Sequence, residues 1–157
     1  VLNLDDLIND ARLPEGTYDL CLRADLQAEL EAKQLELAAA VDEDSLGVDT
    51  GDLGAEIELL REQMAGSVVK LRLRGLGRQR WAALQKQFPP RDDDRLDAVC
   101  GYNYDEFMPA AIRECIVEPA ISATQWDKLL NLMTDGQYTA LQKIMLRLNT
   151  KDVQVPL

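Results

Sequence analysis

Apolar positions along the chain recur at two spacings, three to four residues in most segments and two in one, and this divides it into predicted elements. In "LNLDDLINDARLPEG" Leu4, Leu7, Ile8 and Ala11 fall at helical spacing until Pro14 and Gly16 interrupt, which predicts one short helix. From Tyr18 to Val41 there is no Gly or Pro, Ala, Leu, Glu and Gln dominate, and Leu22, Leu26, Leu30, Leu37 and Val41 lie near one helical stripe. A long amphipathic helix is expected, its stripe interrupted by Lys33 and Gln34. "DEDSLGVDTGDLG" then combines five acids with three glycines, the composition of a solvated loop, and "AEIELLREQMAG" resumes with Ile57, Leu60 and Met64. Two helices joined by an acidic loop predict a helical hairpin, an arm of coiled-coil type.

The period changes at "SVVKLRLRG". Val69, Leu71 and Leu73 alternate with Lys70, Arg72 and Arg74, so a strand with one apolar and one cationic face is expected. "GLG" turns the chain, and "RQRWAALQKQF" places Trp81, Leu84, Gln85 and Phe88 on one helical face before "PP" stops it. Three further helices follow. "DEFMPAAIRECIVEP" starts from Asp105, carries Phe107, Ile112, Cys115 and Ile116 as its apolar face, and ends at Pro119. "SATQWDKLLNLMT" can use Thr124 as N-cap with Asp127 three residues on, and "DGQYTALQKIMLRLN" presents Tyr138, Leu141, Ile144, Met145 and Leu148. The expected fold is mainly α, with an N-terminal helical hairpin arm over residues 1–66, then the basic strand and a compact helical domain over 67–157.

Charge sharpens this division. The net charge is -11, yet Val1 to Gly66 holds 17 acidic and 4 basic residues, Ser67 to Arg91 holds 7 basic and none acidic, and Asp92 to Leu157 holds 11 acidic and 6 basic. With 46% hydrophobic but only 5% aromatic residues, the core must be built mainly from Leu, Val, Ile and Ala. There is no apolar run of membrane-spanning length and no signal-peptide pattern, so a soluble, non-secreted protein without a membrane partner is expected.

Candidate chemistry is sparse. The sequence has no histidine, and Cys21, Cys100 and Cys115 are widely spaced, which argues against a zinc site, a Cys/His nucleophile pair or a His general base. Asp92–Asp94 could be read as a magnesium site or as a solvated cap of the next element, and the latter is preferred. "GLGRQR" sits between strand and helix but lacks the third glycine of a dinucleotide-binding turn. A non-enzyme without cofactor is expected. The strip Lys70, Arg72, Arg74, Arg78 and Arg80 beside Trp81 suits a single-stranded nucleic acid, or an acidic protein surface. Flanking acid blocks would repel phosphates, and Trp81 shares its stripe with Leu84 and Phe88, so nucleic acid is the less favoured partner. The stripe of Leu22, Leu26, Leu30 and Leu37 can equally be an internal core face or a surface for a partner helix.

The order of "LDDLINDARLPEGTYDLCLRADLQAELE", "LRGLGRQRWAALQKQFPPRDDD", "YNYDEFMPAAIRECIVEP" and "LLNLMTDGQYTALQKIMLRLN" resembles the tail assembly chaperones of long-tailed bacteriophages, particularly those of phages infecting actinobacteria. That resemblance covers nearly the whole chain. It implies a non-catalytic protein of the host cell cytoplasm, absent from the mature virion. Such a protein binds the tape measure protein, keeps its apolar helices from aggregating and helps recruit tail tube subunits, and the cationic strand would add a complementary patch for self-association or for the acidic arm. A structural tail or head-tail joining component and a small nucleic-acid-binding regulator are the alternatives.

Overall fold

A computed structural model describes residues 1–42 and 50–156. It is mainly helical, with eight helices and a small three-stranded sheet among the described residues, in agreement with the expected fold class. The order is α1 (Leu4–Asp10), β1 (Glu15–Cys21), α2 (Asp25–Asp42), α3 (Gly51–Ala65), β2 (Val68–Arg74), α4 (Arg78–Lys86), α5 (Arg95–Cys100), α6 (Tyr104–Cys115), β3 (Ile116–Glu118), α7 (Ala123–Leu132) and α8 (Asp135–Thr150). None of these helices is long and apolar enough to cross a membrane.

The chain forms two compact units, Asp19–Val69 and a second that joins Val1–Tyr18 to Lys70–Leu157. The sequence pattern drew its line at residue 66 instead, grouping α1 with the hairpin. In the Asp19–Val69 unit α2 and α3 pack on each other, burying Leu26, Ile57 and Leu60. Lys33 Nζ reaches Glu56 Oε2 across the pair at 3.0 Å. Arg23 forks onto Asp25 at the start of α2, both bonds at 2.9 Å.

The hairpin differs from expectation in three places. The long helix does not begin at Tyr18, because β1 occupies Glu15–Cys21 with inward and outward positions alternating, and α2 starts only at Asp25. Leu22 therefore lies in the bend after β1, off the helical stripe, while Leu26 is buried and Leu30 and Leu37 are half-buried. Finally, Gly51–Gly54 belongs to the first turns of α3 rather than to a loop. Most of the predicted acidic loop, 43–49, lies outside the described residues.

The sheet has the order β1-β2-β3. The Leu22 N–H donates to the Ser67 carbonyl at 2.8 Å and the Gly75 N–H to the Pro14 carbonyl at 2.9 Å, a constant-sum pairing that makes β1 and β2 antiparallel. β3 pairs antiparallel with β2 through Arg72 opposite Glu118 and Leu73 opposite Ile116. The expected helix therefore ends at Cys115, and Ile116 is a strand residue rather than part of its apolar face. β2 alternates as the sequence requires, with Leu71 and Leu73 fully buried.

In the larger unit α6 packs on α4, α5, α8 and β3, and its Phe107, Met108, Ala111, Ile112 and Cys115 are all buried. Phe107 gathers an aromatic cluster, with ring centroids 4.2 Å from Tyr102, 5.2 Å from Trp81 and 6.4 Å from Phe88. Trp81 and Phe88 thus face inward as expected, both half-buried. Side chains fix the helix starts: Asn103, Ser122 and Thr134 cap α6, α7 and α8, the last two in reciprocal capping boxes with Gln125 and Gln137. These replace the Asp105 start and the Thr124 cap expected from the sequence; Ser122 wins because its third helical residue is a glutamine able to bond back. Gly75 permits a close approach: a Cβ there would lie 2.7 Å from the Leu148 carbonyl oxygen. The adjoining Leu76 N–H donates to Asn149 Oδ1 at 2.7 Å, which seats the end of β2 on α8.

Candidate protein-interaction surfaces

The cationic face of β2 is built by strand alternation and then largely neutralised by its neighbours in the sheet. Arg72 donates to Glu15 Oε1 at 3.2 Å and Oε2 at 3.3 Å, and to Glu118 Oε2 at 3.1 Å. Arg74 donates to Glu15 Oε1 through both Nε, at 2.9 Å, and Nη2, at 2.7 Å. The cause is the order of strands, which flanks the two arginines with the first residue of β1 and the last of β3. The Arg74 hydrogen bond, with further help from Arg72, holds the Glu15 carboxyl below its ordinary range against the opposing effect of partial desolvation. Glu118 first and Glu15 second raise the Arg72 guanidinium.

Beyond the sheet, Arg80 on α4 bonds Glu114 on α6. Of the strip read from the sequence, only Lys70 and Arg78 make no ion pair among the described residues, whereas Arg72, Arg74 and Arg80 are committed within the chain. Sequence spacing identified the cations; their acidic partners lie 34 to 59 positions away, beyond any local pattern.

The same holds for a tighter knot that sequence reasoning missed. Asp97 on α5 is fully buried and accepts from Arg91 Nε (2.8 Å), Arg91 Nη2 (3.1 Å), and the backbone N–H groups of Arg91 (2.9 Å) and Tyr104 (3.1 Å). These bonds, led by that of the Arg91 side chain, overcome desolvation and hold its carboxyl far below the usual range. Asp94 caps α5 by accepting from the Asp97 N–H at 3.0 Å, so one member of the Asp92–Asp94 run serves as a cap. No cluster of metal-ligating side chains occurs among the described residues. Cys115 is buried, which pushes its thiol up despite a hydrogen bond from Asn149.

The hairpin presents a different kind of surface. Leu37, Ala38 and Val41 of α2 and Ile57 of α3 floor an open groove of about 560 Å³, rimmed by Asp42, Glu58 and Arg61. Arg61 is held by Glu58 at 3.0 Å, and Val41 is 65% exposed. Of the predicted stripe Leu37 and Val41 enter this groove; Leu26 is spent on internal packing and Leu22 is off the helix.

Comparison with protein-family models, with curated proteins and with solved structures finds no match to this chain. Two surfaces bear on its function. One is a polar sheet face whose arginines are already engaged, and the other is an apolar groove in an acidic hairpin.

Proposed function

We propose that the chain is a non-catalytic tail assembly chaperone of a long-tailed bacteriophage, which binds the tape measure protein in the host cytoplasm, assists tail tube assembly and is left out of the finished particle. The observation that carries this reading is the open groove of Leu37, Ala38, Val41 and Ile57 on an acidic helical hairpin. A partner helix laid along it would cover Val41, Ala38 and the exposed part of Leu37, which α2 leaves in water, a helix-in-groove mode that needs no catalytic group. The surrounding carboxylates keep such a complex soluble and favour a partner with basic flanks.

The ion pairs support a protein partner over a nucleic acid. A phosphate would have to displace Glu15, Glu118 or Glu114 from Arg72, Arg74 and Arg80, and the flanking acids oppose its approach. The test is co-expression with the tape measure protein of the same genome, followed by co-purification in moderate salt. A retained soluble complex, with the chain missing from purified particles by proteomics, is the expected result. Failure to co-purify, with the chain recovered in mature particles, would instead establish a structural tail or head-tail joining component.

A further inference from the structure

Among the described residues nothing buries the apolar side of the short helix α1. Asn3 caps it by accepting from the Asp5 N–H at 3.0 Å, so the helix is locally well formed, yet none of its residues is buried. Leu4, Leu7 and Ile8 fall on one face and are 66%, 49% and 59% exposed. Asp5, Asp6 and Asp10 make no ion pair among the described residues. The helix is therefore an acidic amphipathic peptide whose apolar face is left open by the described residues.

A receptor of matching character exists elsewhere in the same unit. Between α4 and α6 lies a groove of about 400 Å³ lined in part by the half-buried Phe88, Ile116 and Ile121, among polar and charged side chains. Two arginines edge it. Arg80 is engaged with Glu114, which neutralises the acid in the groove, and Arg113 is exposed with no ion-pair partner among the described residues. A partly apolar lining and a spare cation complement an apolar face flanked by spare carboxylates.

We propose that α1 of one copy docks in the α4–α6 groove of a second copy, with Leu4, Leu7 and Ile8 against Phe88, Ile116 and Ile121 and the α1 carboxylates toward Arg113. The two halves of this contact are unlike, so after the first pairing one copy keeps a free helix and the other a free groove. Association then either closes into a ring, a reciprocal pair included, or continues. A contact this small belongs to the weak, transient class, which makes the assembly dependent on concentration and on salt. This proposal is independent of the chaperone reading, because it needs no phage partner.

The test is sedimentation velocity of the full chain across a concentration series in low salt. The wild type is expected to associate. Leu7→Asp, at an exposed position, should weaken association by at least about tenfold, the loss of one aliphatic anchor. Arg113→Glu should weaken it and flatten its salt dependence. Ile121→Asp, in the loop before α7, removes the groove while keeping α1. Mixing the Leu7→Asp chain, which keeps its groove, with the Ile121→Asp chain, which keeps its helix, should restore a complex that stops at one copy of each. Circular dichroism of each variant verifies that the fold is kept. A wild type that stays monomeric throughout, a Leu7→Asp chain that assembles as the wild type does, or a mixture of two folded variants that fails to pair would each overturn the proposal.

Discussion

Phe107→Ala tests whether the aromatic cluster on α6 organises the larger unit. Phe107 is fully buried, with Tyr102, Trp81 and Phe88 around its ring at centroid distances of 4.2, 5.2 and 6.4 Å. Truncating a buried phenylalanine costs about 3–5 kcal/mol, because transfer energy is lost and the neighbours close the cavity only partly. In a chain of this length each kcal/mol lowers Tm by about 2–4 °C, so a fall of roughly 6–20 °C is expected. Tryptophan fluorescence is the right probe, since both tryptophans, Trp81 and Trp126, belong to the unit that contains Phe107. Far-UV circular dichroism adds the α2–α3 hairpin, and a variant that shifts the fluorescence midpoint further than the dichroism midpoint would show that the two units melt separately. Phe107→Leu, which keeps most of the volume, should lose distinctly less than the alanine variant. A fluorescence midpoint moved by less than about 2 °C in Phe107→Ala would refute the assignment of this ring as the centre of packing.

Other predictions concern single atoms and the groove. Gly75→Ala should destabilise by about 1–3 kcal/mol through the clash with the Leu148 carbonyl, whereas Gly54→Ala, in α3 with open space around it, should stabilise by about 0.5–1 kcal/mol; thermal melts read both signs. Because the folded-state pKa of Asp97 is depressed, its contribution is present above the unfolded carboxylate range and is lost as pH falls toward the folded value. Asp97→Asn should accordingly lower Tm at neutral pH and flatten the acid side of a Tm-against-pH curve, and an unchanged curve would contradict the bonding described. Val41→Asp, at an exposed position in the hairpin groove, should leave Tm nearly unchanged and abolish co-purification with the tape measure protein, so undiminished capture would remove the groove from the binding site.

Much of the fold was legible because it rests on local signals. β2 announced itself by strict alternation, and α4, α6 and α8 by apolar faces bounded by Pro, Gly or capping residues. β3 is three residues long and exists by pairing with Arg72 and Leu73, a relation that no window around Ile116 contains. β1 did carry an alternating "EGTYDLC", but helix-permissive residues follow it without a Gly or Pro, and the helical stripe was extended back over it. The basic strip was visible as composition; that Glu15, Glu118 and Glu114 answer it depends on topology. The hairpin groove was half legible, through Leu37 and Val41 on the stripe, whereas Asp97 lies in α5, a segment for which no element was expected, and no local signal marks it as buried.

The Asp97 knot also bears on how proteases meet this chain. Arg91 follows two prolines on an exposed stretch, the sort of place where trypsin cuts first. Its guanidinium, however, is engaged by Asp97 and lies 3.3 Å from Asp94 and 3.0 Å from Asp105, so it cannot enter a specificity pocket without unlatching the segment between α4 and α6. A surface arginine is thereby withdrawn from digestion by an internal acid. Cleavage after Arg91 becomes a reporter of whether that latch is closed.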